Sequence, residues 1–232
     1  MYLREVHAED NLKVLKDLIK SVKLGQLTTA IESNDLPFLQ TTPIPFTLMD
    51  TPNNEKGILT GHLARANPQA KALIEASNTT NVPELERDVL IFFTSDANSY
   101  VTPKYYVKSK PETGKVVPTW NYAAVQVYGR IKVHHAINDT TSAFLQSQIT
   151  QLTNENEAAF ETQWKVSDAP NKYFENLKKA IIGVEINIHS INGKFKYSQE
   201  MPEEDRLGVI AGFENAGDQK SKNVANRMKQ AK

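Results

Sequence analysis

VVPTWNYAAVQVYGRIKV, Val116 to Val133, is the stretch whose reading decides the fold. Its second half alternates: Val125, Val127 and Gly129 fall on one side and Gln126, Tyr128 and Arg130 on the other, the period of a half-buried strand. The first half does not look like packing. Thr119, Trp120, Asn121 and Tyr122 bring hydrogen-bonding groups and flat rings together where the strand begins, a combination that usually faces a ligand or another subunit.

Upstream of that strand, Asp10 is the expected N-cap of a first helix whose apolar face is Leu12, Leu15, Leu18, Ile19 and Val22. PFLQTTPIPFTLMD reads as a strand interrupted by Pro43 and Pro45, hence an edge or irregular one. ILTGHLA is another strand, Asn67 and Pro68 open a helix over PQAKALIEA, and VLIFFT and SYV are further strands. Downstream, helices are expected from about 139 to 160 and 171 to 180. In the last strand-like piece, IIGVEINIHSINGKFKYSQ, Val184, Ile186 and Ile188 alternate with polar residues, and Asn192-Gly193 predicts a tight hairpin turn. Strands early and late, with helices at the start, middle and end, point to a mainly β, α+β domain built round an antiparallel sheet or barrel. One domain over 1–213 is expected, followed by a basic, flexible tail over 214–232, where no acid follows Asp218.

Composition narrows the chemistry. The 232 residues contain no cysteine, which removes disulfides, thiolate metal sites and Cys nucleophiles. Lys+Arg and Asp+Glu both total 27, so nucleic-acid binding would need a local basic patch. No apolar run approaches the roughly 18 residues of a membrane span, and the N-terminus has no secretory pattern. An intracellular protein, cytoplasmic or nuclear and without a membrane partner, is expected. The five histidines form no ligand spacing, so no metal is expected. G-x-S-x-G, P-loop and G-x-G-x-x-G motifs are absent.

Two segments could carry chemistry. GHLARANP delivers His62 and Arg65 just before a helix capped at Asn67, which suits a phosphate. The plainer alternative has Arg65 paired with a surface carboxylate, Asn67 only capping and His62 in solvent; these eight residues alone favour it. SYVTPKYYVKSK offers the rings of Tyr100, Tyr105 and Tyr106 with Thr102, Lys108, Ser109 and Lys110 as donors to phosphate or hydroxyls. A solvated loop with its tyrosines packed on the barrel is the alternative there, and aromatics among lysines also suit single-stranded nucleic acid.

GHLARANPQ, SYVTPKYYVKSK and VVPTWNYAAVQVYG, followed by GVEINI and GKFKYSQ, change the balance. In this order they make the chain resemble, from its initial MY to about Phe213, the PaiB-like family of FMN-binding proteins. That family is described as negative transcriptional regulators built on the FMN-binding split barrel shared with pyridoxamine-phosphate oxidases. The resemblance implies a homodimer with FMN in a cleft at the subunit interface. It places Trp120, Asn121 and Tyr122 at a strand start that borders the flavin and a partner subunit, with Tyr100 and Thr119 as further cofactor-binding residues, His62, Arg65 and Asn67 at the phosphate end, and Lys110 as a supplementary cation. It also implies DNA as a partner, by resemblance only. Two departures stand out: SQE, with Glu200, where relatives tend to have SQN, and Ile44 in TPIPF where a histidine is common. An FMN-dependent oxidoreductase, or a binding module for haem or another planar ligand, are the competing functions.

Overall fold

The computed structural model describes residues 1–80 and 82–230. In chain order it contains β1 (Ala8–Glu9), α1 (Leu12–Val22), β2 (Leu24–Ala30), β3 (Leu39–Pro45), β4 (Thr47–Thr51), β5 (Asn54–Ala64) and α2 (Pro68–Thr80). Then come β6 (Glu84–Thr94), β7 (Ser99–Val101), α3 (Ser109–Thr113), β8 (Thr119–His134), α4 (Asp139–Glu157), α5 (Asn171–Lys179), β9 (Ile181–Lys196), α6 (Glu203–Asn215) and α7 (Gln219–Gln230). The sheet path β3-β2-β6-β8-β9-β5-β4 does not close on itself. It is the α+β, mainly antiparallel, open-barrel class expected from the sequence.

The chain forms two compact units. One comprises Ile19–Phe92 and Val127–Ile191. In it β2 pairs with β3 and β6, and β5 pairs with β4 and β9, all antiparallel. Its core includes Leu27, Phe46, Leu59, Leu73, Ile91, Ile131 and Ile186, all fully buried. Pro43 and Pro45 lie in β3, the end strand of the path, opposite Gln26 and Leu24. An end strand has no second ladder to lose, so prolines are tolerated there.

The other unit comprises Met1–Leu18, Phe93–Gln126 and Asn192–Lys232. Here β1 pairs with the end of β9 and β7 pairs with the start of β8. Leu15, Phe93, Val101, Val125, Tyr197, Phe213 and Met228 are buried in it.

Three local expectations are corrected. The cap of α1 is Asn11, whose Oδ1 accepts the N–H groups of Lys13 (3.0 Å) and Val14 (3.4 Å), and not Asp10. No hairpin turns at Asn192-Gly193: β9 runs through to Lys196, and Gly193 is absent from the positive-φ glycines. Gly193 is needed for closeness, because a Cβ there would lie 2.2 Å from Leu15 Cδ2. In the tail, residues 219–230 form α7, with Val224, Ala225 and Met228 completely buried. An apolar stripe at helical spacing docks this basic segment where its charge alone predicted a flexible one; Ala231 and Lys232 lie outside the described residues. No described helix is long and apolar enough to cross a membrane.

Candidate functional site

Within the first unit, β5 carries His62, and the turn before α2 carries Arg65 and Asn67. Asn67 Oδ1 accepts the Gln69 N–H at 2.8 Å, capping α2 as expected, and its Nδ2 donates to Thr42 Oγ1 at 3.2 Å. Arg65 pairs with no carboxylate among the described residues. Its Nη2 donates to the carbonyls of His135 (2.8 Å) and Ile181 (3.4 Å), and its Nε to that of Lys179 (3.2 Å). Burial, and then this guanidinium, lower the His135 pKa. His62 Nδ1 lies 2.7 Å from Oε1 of Gln148 on α4. Gln148 is buried, and its Nε2 has no partner among the described residues. The three predicted residues thus share one stretch of chain, but none bonds another, and each is held by a different element.

In the second unit, the β7–β8 register sets Tyr100 opposite Trp120, Val101 opposite Thr119 and Ser99 opposite Asn121. The Tyr100 and Trp120 rings meet edge to face, 6.3 Å between centroids at 66°. They are 49% and 48% exposed, so neither is core. Trp120 Nε1 donates to Asn98 Oδ1 at 3.4 Å. Period-two alternation sends Asn121 the other way: it is completely buried, accepts from Ser198 Oγ at 3.1 Å and donates to Met228 Sδ at 3.4 Å. Lys110 is exposed on α3 and makes no hydrogen bond with the ring pair. The amino end of α3 is held by Asp205 of α6, which accepts the N–H groups of Lys108 (2.8 Å) and Ser109.

Lys194 and Lys196, which no expected site included, lie at this strand start. Lys196, at the end of β9, donates to Thr119 Oγ1 and, at 3.0 Å, to the Trp120 carbonyl; burial lowers its pKa. Lys194 Nζ lies 5.7 Å from the Tyr122 ring centroid, a cation–π contact. Glu200 sits 3.0 Å from the Nε2 of buried His7. Burial pushes the Glu200 carboxyl up, but the His7 hydrogen bond, with further hydrogen-bond and charge contributions, outweighs it and holds the group below the usual range. Tyr106 is raised by burial and by Glu200, Asp205 and Tyr100. The legible signal was the spacing of Lys194 and Lys196 in GKFKYSQ, which places both cations on one face of a strand.

Each unit has flavin-type groups of its own: one has two half-exposed ring faces, a hydroxyl and an ammonium, and the other has a guanidinium and, separately, a histidine joined to a buried amide with an unmet donor. A family model described as "Putative FMN-binding domain" matches residues 1–190, a span that includes every site residue predicted from sequence. An uncharacterised protein of Emericella nidulans is 48% identical, over 99% of this chain and 97% of its own. Protease synthase and sporulation protein PAI 2 of Bacillus subtilis is 24% identical, over 98% of this chain and 96% of its own. Among solved structures, a conserved hypothetical protein from Mycobacterium tuberculosis has a TM-score of 0.51 at 10% identity, covering 88% of this chain and 95% of that one. A likeness at that identity is one of fold. The chain therefore belongs to the FMN-binding domain family, and FMN is the cofactor assigned to it.

Proposed function

We propose that this protein is an FMN-binding, homodimeric regulator of transcription of the PaiB type. The observation that carries the reading is α7. Over Gln219–Gln230 it carries no acid and offers Lys220, Lys222 and Lys229, while its apolar side is buried. It follows α6 after a short turn in which Gly217 takes φ +82°. A helix held by its apolar side and joined to the preceding helix by a short glycine turn is the arrangement that offers cations to DNA. Lys229 is engaged by Glu214, whereas Lys220 and Lys222 are exposed and make no ion pair with any described residue.

FMN, when bound, supplies reversible electron transfer. The chain's own residues do the rest. Tyr100 and Trp120 offer ring faces, and Lys196 fixes the Thr119 hydroxyl. Arg65, oriented by three carbonyls, is the cation for the phosphate, with His62 and Asn67 beside it in sequence. A second copy of the chain is proposed to cover the half-exposed ring pair, which a lone subunit leaves in water.

Fluorescence anisotropy with duplex DNA tests the reading. Binding should weaken steeply as salt rises, and Lys220→Gln with Lys222→Gln should weaken it further and flatten the salt slope by about 2. No binding at low salt, or binding indifferent to the double substitution, contradicts it. A flavin oxidoreductase is the second reading, favoured by the same exposed ring pair, which leaves a face for a substrate. Anaerobic bleaching of the flavin by a reduced nicotinamide would support it.

A further inference from the structure

The α7 unit contains a cavity of about 620 Å³ that has no part in the sites described above. One wall comes from the chain's beginning, with Val6, Val14 and Leu18 as its apolar surface. The other comes from Phe195, Arg227 and Gln230, beyond the segment that matches the FMN-binding family. Arg227 and Gln230 are three apart on α7 and so lie on neighbouring parts of its surface. Neither side chain makes a hydrogen bond or ion pair with any described residue.

The two acids of the wall are differently placed. Glu9 accepts the Asn11 N–H at 2.8 Å, and Asp17 holds Lys13 Nζ at 2.7 Å. Both line the cavity, but the charge of Asp17 is offset by Lys13, whereas Glu9 has, among the described residues, only the Asn11 backbone N–H. A ligand with one negative group can take the unpaired guanidinium and the Gln230 amide and lay an apolar body on Val14, Leu18 and Phe195. A second negative charge would share the cavity with the Glu9 carboxylate and be repelled. We infer that this cavity binds a monoanionic amphiphile, an aromatic or aliphatic carboxylate with an apolar body of one or two rings, separately from FMN and from DNA.

Isothermal titration of the FMN-loaded full chain tests this with three probes of one shape: 2-naphthoate, the neutral 2-naphthylmethanol and the dianionic 2-naphthyl phosphate. One 2-naphthoate per chain should bind, about tenfold tighter than either of the others, since a charge-assisted contact distinguishes them. Arg227→Gln should remove the advantage of the acid over the alcohol. Val14→Phe, which fills the cavity from its apolar side, should weaken acid and alcohol alike while the bound FMN stays at its wild-type level. The inference is overturned if no saturable binding occurs, if acid and alcohol bind equally to the wild type, if Arg227→Gln leaves the naphthoate affinity unchanged, or if naphthoate expels FMN.

Discussion

At the scale of single residues, Trp120 and Asn121 are neighbours with opposite fates. Both come from the polar, aromatic start of β8, and sequence alone sets them side by side at a ligand. Alternation along the strand separates them: Trp120 stands half in water, and Asn121 is enclosed and bonded by Ser198 and Met228. The two truncations therefore differ in what they cost. Trp120→Ala should lower folding stability by less than about 1 kcal/mol, the range of an exposed side chain, while weakening FMN binding. Asn121→Ala should cost about 1–3 kcal/mol, because it strands a buried hydroxyl. Denaturant midpoints and flavin titrations of both variants check this; a large fall in midpoint for Trp120→Ala would make that residue core after all. That Trp120 is not packing was legible in the composition of the stretch. That Asn121 is packing was not, because its partners lie 77 and 107 positions away along the chain.

At the scale of elements, the strongly periodic ones were legible. The helices expected near 139–160 and 171–180 are α4 and α5, and the proline-broken strand is β3, at one end of the sheet path. What misled was local chemistry with two uses. Asn-Gly signals a hairpin, but the glycine at 193 serves instead to let Leu15 come close. Basic, low-hydropathy sequence signals a loose tail, but Val224, Ala225 and Met228 give α7 a buried stripe. The tie between α3 and α6 could not be read from sequence at all, since it rests on one carboxylate receiving distant backbone N–H groups. Burial raises the pKa of Asp205, but hydrogen bonds from Ser109 and from the Lys108, Ser109 and Val107 backbone overcome it and leave the group below 3.8. A depressed carboxylate stabilises the fold above its unfolded value and loses that contribution as pH falls through the folded one. Asp205→Asn should therefore be less stable than wild type at neutral pH, and the gap should narrow as pH drops below 3.8. A gap that stays constant down the acid limb would mean that the charge of Asp205 contributes nothing.

At the scale of the whole molecule, the open sheet carries its candidate chemistry in two places, the Arg65 turn and the Tyr100–Trp120 rim. The sequence motifs announced both. The supporting groups behind them, Gln148 for His62 and Lys196 for Thr119, come from remote segments and required the fold. The half-exposed ring pair is the surface that the proposed homodimer would cover. A subunit that stays monomeric at micromolar concentration with FMN bound would leave the ring pair uncovered and contradict that proposal. The most direct test of FMN binding is to purify the protein, record its visible spectrum, and denature it to release and identify any chromophore. Flavin absorption is expected, with FMN released in a one-to-one ratio with chain or taken up to that ratio on reconstitution. A haem spectrum, or a folded protein that neither carries nor takes up FMN, would contradict it.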